Sequence, residues 1–358
     1  MSGSWGYYDD DGWLDLFVGS SYSSERNFLY HNDRDGTFTL IDDATMPKIP
    51  SNQHGTAWGD YDNDGLLDLF IGGHDIHNRL FHNDGGGSFT RLLEHVLVND
   101  QSGGPSSEGR AWVDYDNDGD LDLYVSNVFV RPSPKFTSVL YRNDGDGQFT
   151  RNSKSGLSKF PERTFSACWA GSCAWGDYDN DGFIDLFVTA GGFPDPVPNF
   201  LYHNDGDGRF TRVTESPVAD PATGAQSASW VDYDNDGFLD LFVTQGAIAP
   251  DPQVNLLYHN NGNDNGWLNV KLVGTVSNRS AIGAKVRVKA FYRGARRWQV
   301  REISGGDGNG NQQSLNAEFG LGDATTVDTI RVEWPSGIVQ ELHDVAPSQF
   351  LTITETPD

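Results

Sequence analysis

The chain has 358 residues and a formal net charge of −26, from 51 acidic against 25 basic side chains. A surface this acidic repels nucleic acid and anionic membranes, which excludes polyanion binding as its function. Its 42 glycines and 12% aromatic content favour turn-rich β-structure on large apolar anchors over long helices. No run approaches the roughly 18 apolar residues of a membrane span. Met1-Ser2-Gly3-Ser4-Trp5 carries neither the basic nor the apolar part of a secretory leader. The first repeat begins almost at Met1, so that observation bears little on compartment. Cys168 and Cys173 suit either a short disulfide or two thiols, and do not fix the redox setting.

In chain order, one segment recurs. Its clearest copy is Trp58-Gly59-Asp60-Tyr61-Asp62-Asn63-Asp64-Gly65-Leu66-Leu67-Asp68-Leu69-Phe70-Ile71, and the other copies are anchored on Trp5, Trp112, Trp175 and Trp230. Successive anchors lie 53, 54, 63 and 55 residues apart. A second motif follows each loop: Leu29-Tyr30-His31-Asn32, Leu80-Phe81-His82-Asn83, Leu140-Tyr141-Arg142-Asn143, Leu201-Tyr202-His203-Asn204 and Leu257-Tyr258-His259-Asn260. In the first four copies it leads through a Gly/Asp turn to Phe-Thr, a hairpin signal. Each unit therefore predicts four short strands in about 50 residues, the pattern of a propeller blade. The residues before each Trp are mostly small, as crowded inner strands require. The exceptions His54, Glu108 and Arg110 are expected nearest the central channel.

After Asn260 the Asp loops stop. Alternating strands follow, at Trp267-Leu268-Asn269-Val270-Lys271-Leu272, Lys285-Val286-Arg287-Val288-Lys289 and Thr329-Ile330-Arg331-Val332-Glu333-Trp334. The expected fold is all-β: a propeller of four-stranded blades over 1–265, five repeats being visible, and a C-terminal β-sandwich-like domain over 266–358.

The loop D-x-D-x-D-G-x-x-D suits calcium, a hard cation that takes six to eight oxygen ligands. Three carboxylates at positions 1, 3 and 5 point at one centre, Gly at position 6 permits a positive φ, position 7 offers a carbonyl and Asp at position 9 closes the cage. The expected ligands are Asp60, Asp62, Asp64, the Leu66 carbonyl and Asp68; Asp114, Asp116, Asp118 and Asp122; Asp177, Asp179, Asp181 and Asp185; and Asp232, Asp234, Asp236 and Asp240. In the first copy Tyr7 replaces the leading Asp, leaving Asp9, Asp11 and Asp15 and the weakest site. Five Ca²⁺ ions, about one per repeat, would bring the charge from −26 to −16. Such loops are expected to be structural, and extracellular-type affinities point to an extracellular or periplasmic setting. Magnesium suits them less because it keeps its waters, and zinc less because the loops themselves hold no His or Cys.

The Trp-Gly-Asp-Tyr-Asp-Asn-Asp-Gly-x-x-Asp-Leu-Phe-Val units resemble FG-GAP/VCBS repeats, the calcium-binding blades of integrin-α-like propellers, over about residues 1–262. The tail resembles the ASPIC/UnbV domain, through Trp267–Leu272, Ser277–Val286, Phe319-Gly320-Leu321-Gly322 and Val332–Gly337. The resemblance implies a secreted, calcium-dependent protein linked to adhesion or matrix contact, without naming a ligand. Propellers of this kind commonly have seven blades, so five repeats mean either a five-bladed ring or part of a larger one. The stretch Gly305–Asn311 lacks the aromatic that the ASPIC pattern would place there.

Other signals are weaker. The strand-three histidines His31, His82, His203 and His259, with Arg142 in the remaining copy, read as structural. His74-Asp75-Ile76-His77 is a lone H-x-x-H, and Asn278-Arg279-Ser280 a glycosylation sequon. No nucleophile elbow, P-loop, dinucleotide fingerprint or H-E-x-x-H is present. The expected function is a calcium-stabilised binding or adhesion module. Its protein or glycan ligand would sit on the variable connections Val128–Thr137 and Phe193–Asn199. The alternatives are a lyase, hydratase or cyclase using His54, Glu108 and Arg110 at the axis, or a plain spacer.

Overall fold

The computed structural model describes residues 2–20, 27–41, 53–73, 77–100, 107–130, 138–157, 167–193, 198–219, 224–246, 254–308 and 312–357. The first unit folds into β1 (Ser2–Gly6), β2 (Asp15–Gly19), β3 (Phe28–Asn32) and β4 (Phe38–Leu40) as one antiparallel sheet. The second comprises β5 (Gln53–Gly59), β6 (Asp68–Gly73), β7 (Arg79–Gly85) and β8 (Ser88–Leu92), followed by the short α1 (Val96–Asn99). The third has β9 (Ser107–Val113), β10 (Asp122–Val130), β11 (Val139–Asn143) and β12 (Phe149–Arg151). The fourth has β13 (Ala167–Gly176), β14 (Asp185–Phe193), β15 (Phe200–Asn204) and β16 (Phe210–Val213). The fifth has three strands among the described residues, β17 (Ala225–Val231), β18 (Asp240–Gln245) and β19 (Leu256–Tyr258). It lacks the Gly/Asp hairpin and Phe-Thr that supply the outer strand elsewhere. These are the blades of a β-propeller.

The Trp-bearing strands β1, β5, β9, β13 and β17 lie side by side in chain order. Their small residues permit it: Ala57 and Ala174 are fully buried, and a Cβ on Gly109 would lie 2.9 Å from the Gly171 carbonyl oxygen. From the second blade on, each anchor Trp is a wedge against the blade before it. Trp58 stands edge-on to Phe17, Trp112 stacks on Tyr61, Trp175 stands edge-on to Tyr124 and Trp230 stacks on Tyr178. The Asn ending the second motif adds a staple. The Nδ2 groups of Asn83, Asn143, Asn204 and Asn260 donate to the carbonyls of Tyr8, Tyr61, Tyr115 and Tyr178, one blade back, at 2.7–3.0 Å.

The C-terminal strands form two sheets around one core that includes Leu268, Val270, Val286, Phe319, Ile330 and Val332. One sheet orders β24 (Asn316–Gly322), β20 (Gly266–Val273) and β27 (Gln349–Thr354). The other orders β22 (Ala295–Glu302), β21 (Lys285–Tyr292), β25 (Val327–Glu333) and β26 (Val339–Val345). Between β22 and β24 described residues leave this sandwich and meet inner strands of the propeller. Trp5 N donates to Gly305 O, β23 (Asp307–Gly308) pairs with β5, and Ser229 Oγ and Trp230 N donate to Gln312 O and Gln313 Oε1. Gly305, Asp307–Gly308 and Gln312-Gln313 thus approach the inner strands of several blades, and at Gly305 a Cβ would run into the Trp5 carbonyl oxygen.

Candidate metal centre

Every Asp loop turns in the same way. The position-6 glycines Gly12, Gly65, Gly119, Gly182 and Gly237 have φ between 83° and 101°. Position 4 is also left-handed, at Asp10, Asn63, Asn117, Asn180 and Asn235 with φ between 54° and 63°, which accounts for Asn in that slot. Position-1 carboxylates close the turn: Asp60 accepts from the amides of Asp64 and Gly65, Asp177 from Asp181 and Gly182, and Asp232 from Asp236 and Gly237. The position-9 carboxylates Asp15, Asp68, Asp122, Asp185 and Asp240 are all buried. Asp68 shows their role: Oδ2 accepts from Tyr61 N at 3.3 Å and Oδ1 from Asn83 N at 2.8 Å, tying the loop to strand three.

These constraints bring the carboxylates together. Ligand-type atoms of Asp60, Asp62 and Asp68 lie within 4.8 Å of one another, as do those of Asp62, Asp64 and His82. The Leu66 amide donates to Asp64 Oδ1, continuing the same turn. Asp9 and Asp15 gather with His31, Asp179 and Asp181 with His203, and Asp234 and Asp240 with His259. Arg34 pairs with Asp11 at 2.7 Å, on the exposed side of the first loop.

The strand-three histidines were missed as site residues. Their Nδ1 atoms lie 3.0 Å from Asp9, 3.3 Å from Asp62, 3.3 Å from Asp179 and 3.6 Å from Asp234. The signal was their fixed offset from each Asp loop, which also fits a structural role. The argument against zinc from the lack of His therefore fails: the loop sequence holds none, but the neighbouring strand supplies one. In the third unit Arg142 takes this place, with Nε 3.1 Å from Asp144, 3.7 Å from Asp116 and 4.0 Å from Asp118. That loop carries its own partial counter-charge.

Burial without enough positive charge raises several of the loop acids. It pushes Asp15 and Asp116 up to about 6, Asp185 to about 7, Asp114 to about 8 and Asp68 to about 9. Asp122 and Asp177 also rise well above the ordinary range, from burial first and then from neighbouring carboxylates. Asp62 Oδ1, Asp114 Oδ2 and Asp116 Oδ1 are buried with no hydrogen-bond partner. A hard, oxygen-seeking cation fits these orphaned oxygens.

The C-terminal sandwich sits against the loops. Lys285 Nζ pairs with Asp60 Oδ2 at 2.8 Å, with both side chains at most 7% exposed, and also donates to Asp60 O and Asn63 Oδ1. Arg293 reaches Asp181 at 2.8 Å, and Arg287 Nη1 donates to Gly119 O. The rings of Tyr292 and Trp267 lie against Gly182 and Gly237, where any Cβ would clash. Tyr7 is buried against Gly283, so this departure from the Asp pattern is a docking contact.

The axis candidates fare differently. Arg110 is fully buried against Gly72, whose missing side chain leaves room for the guanidinium; it is not at a hydrated channel mouth. The side chains of His54 and Glu108, most of Val128–Thr137, part of Phe193–Asn199 and His74–Ile76 lie outside the described residues, as does the Cys168 side chain. Cys173 is a buried thiol on β13. A cavity of about 100 Å³ remains near the axis, lined by Trp58, Trp112, Trp175, Trp230, Arg301 and Glu318 among others. Asn278 of the sequon is buried, its Nδ2 donating to Ile282 O. Among the described residues no helix is long and apolar enough to cross a membrane.

The family model for FG-GAP-like repeats matches residues 8–71, 60–125, 128–188 and 177–243, and that for ASPIC and UnbV matches 274–358. Cartilage acidic protein 1 from Mus musculus is 27% identical over 282 residues, 75% of this chain and 40% of that protein. The Xenopus tropicalis protein is 26% identical over 79% of this chain and 42% of its own length. The chain thus spans about two-fifths of these relatives. Among solved structures, an Agrocybe aegerita lectin described as recognising non-reducing terminal N-acetylglucosamine aligns with a TM-score of 0.45 at 16% identity, covering 96% of this chain and 80% of the lectin. The Vibrio cholerae biofilm matrix protein Bap1 aligns at 0.30 and 11% identity, over 95% and 65%. On its repeats and its tail, the chain belongs to the family of FG-GAP-like repeat proteins that carry an ASPIC and UnbV domain.

Proposed function

We propose that this chain is an extracellular binding module whose blades are held by divalent cations, calcium first, in the Asp loops. The observation that carries the reading is the surplus of buried carboxylate at each loop. Asp68, Asp114, Asp122, Asp177 and Asp185 are all driven upward by burial, and the chain's own cations reach only some of them. At the roughly 10⁻⁴ M affinities of extracellular sites, 1 mM calcium adds about 1.4 kcal/mol per loop. The family and the cartilage acidic protein relatives support an extracellular setting. The residues holding the ion are the carboxylates at positions 1, 3, 5 and 9, with the position-7 carbonyl beside them. The ion supplies charge neutralisation and no chemistry.

The histidines favour a second reading of the metal. An imidazole beside two carboxylates suits zinc or manganese better than calcium. Titration calorimetry of the metal-free chain with calcium, then zinc, separates the two. Calcium binding that Asp179→Asn reduces by one equivalent supports the first reading. Zinc uptake that His203→Ala abolishes, without calcium uptake, replaces it. Absence of heat from both ions refutes the proposal. The enzyme reading draws less support, because Asp307–Gly308 pairs with the inner strand β5 and Arg110 is buried against Gly72.

A further inference from the structure

We propose that the buried seam between the C-terminal sandwich and the Asp loops of the fourth and fifth blades holds a further divalent cation, calcium by its chemistry. Asn269 and Glu318 of the tail would bind it together with Asp177 and Asp232 of the loops. The repeat pattern does not call for this site, because half of its oxygen donors come from the sandwich. It rests on the loop-ion reading only through Asp177 and Asp232, which it shares.

The sandwich builds its half by register. Asn269 on β20 stands opposite Glu318 on β24, and Trp267 opposite Gly320. Leu268 and Phe319 between them belong to the sandwich core, so Asn269, Glu318 and Trp267 share the face turned to the propeller. There Trp267 lies on Gly237 of the fifth loop, and a Cβ on Gly320 would collide with Asp177 Oδ2 of the fourth. A cavity of about 10 Å³ remains, lined by Asp177, Asp232, Asn269, Glu318 and Trp267 among others. That is room for one water or one bare ion. Asn269 is 5% exposed, and its Oδ1 is buried with no hydrogen-bond partner. The same cavity receives three carboxyl groups. Burial disfavours the Glu318 charge most; a hydrogen bond with Ser314 offsets part of this, and Asp232 adds repulsion. Arg301 acts on Asp177 and Glu318 through its field, yet among the described residues it pairs with neither carboxylate. Its guanidinium donates instead to the carbonyls of Glu318 and Val300 and to Gln299 Oε1. A water has two hydrogens to donate and would leave part of this acceptor set unmet. A cation serves all of it at once. Magnesium would bring waters that the cavity has no room for, whereas calcium takes carboxylate and amide oxygens directly.

Equilibrium dialysis of the metal-free chain against calcium, with bound ion counted by mass spectrometry, tests this. Glu318→Gln keeps the size of the side chain and should remove one equivalent per chain. Asp179→Asn, in the fourth loop but outside the cavity, should remove a different equivalent, so that the double variant loses both. Asn269→Asp adds a carboxylate and should tighten the Glu318-dependent equivalent by roughly tenfold, since ligand charge tunes calcium affinity. Its urea midpoint should fall below that of the wild type in chelator and recover in calcium. An Asn269 with a purely structural role would instead lower the midpoint in both and leave binding unchanged. Glu318→Gln that binds as many ions as the wild type overturns the proposal, as does Asn269→Asp that binds no tighter and gains no midpoint from calcium. Calcium in the loops with both tail variants unchanged overturns this site alone; a wild type that takes up no calcium overturns the loop ions with it.

Discussion

Metal-free protein should become less stable as pH rises, the reverse of ordinary acid denaturation. Asp15, Asp185, Asp114 and Asp68 are held by burial at about 6, 7, 8 and 9. In the unfolded chain each returns to about 3.9. Between that value and the folded one, only the folded chain keeps the proton. Folding then takes up protons, and stability is lost as pH rises through the folded values. One such group changes stability by about 1.4 kcal/mol per pH unit within its window. Counting two net protons from pH 5.5 to 8, to allow for carboxylates that relieve one another, gives a loss of roughly 7 kcal/mol, a Tm shift on the order of 10 °C for a chain of this size.

Calcium acts in the opposite sense, because it needs the carboxylates deprotonated. At pH 8, 1 mM calcium in the four complete loops should return about 6 kcal/mol; at pH 5.5 protons displace it. Thermal melts across pH 5–9, in chelator and in calcium, should therefore converge at the acid end and diverge at the alkaline end. A chelator curve that is flat or rises from pH 5.5 to 8 would refute the reasoning, as would superimposed curves at pH 8.

Asn143→Ala should lower stability in urea by about 2–4 kcal/mol, because it strands the buried carbonyls of Tyr61 and Leu121. Asn32→Ala, which breaks the bonds to Leu14 O and from Arg34 N but none across a junction, should stay below about 1 kcal/mol. Lys285→Met leaves Asp60 buried beside other acids and should cost about 3–5 kcal/mol in chelator. Calcium should recover part of that loss, and adding Asp60→Asn should recover most of it without calcium, both read from urea midpoints. Asn278 should stay unmodified when the chain is secreted from eukaryotic cells, because its side chain is buried and bonded to Ile282 O; a glycan mass on its tryptic peptide would contradict the packing.

The blade pattern was legible because it is local. The Trp anchor, the Asp loop and the Asn-Asp-Gly hairpin fall within one unit of about 50 residues, and each fixes the strand next to it. The missing outer strand of the fifth unit could be read from its missing Phe-Thr. What stayed hidden depends on pairs far apart in sequence. Lys285 and Asp60 are separated by 225 positions, and nothing near either marks the other. Tyr7 looked like a damaged ligand because only its own loop was in view. His31 and its counterparts were visible as a repeat, but their closeness to the carboxylates follows from the β2–β3 register and its equivalents, which places strand three beside the loop. Arg110 looked like a channel residue by position; the space left by Gly72 on the neighbouring strand draws it inside.

The five loops share a sequence and do not share an environment, and the C-terminal sandwich is the reason. It gives the first loop the Gly283 surface in place of an acid, and the second an ammonium on Asp60. Arg301 eases both Asp114 and Asp177, and Arg293 takes Asp181. The fifth loop receives a ring over Gly237 and no ion pair from the tail among the described residues. A metal entering these loops therefore meets a different residual charge at each. Where the tail already supplies a cation, ion and tail divide the same carboxylates, and neutralising them serves blade closure and tail docking together. Where it supplies none, the ion is the main counter-charge. Equal loops would titrate as one class of site; loops graded by the tail should titrate in steps, with occupancy reporting how firmly the sandwich is seated.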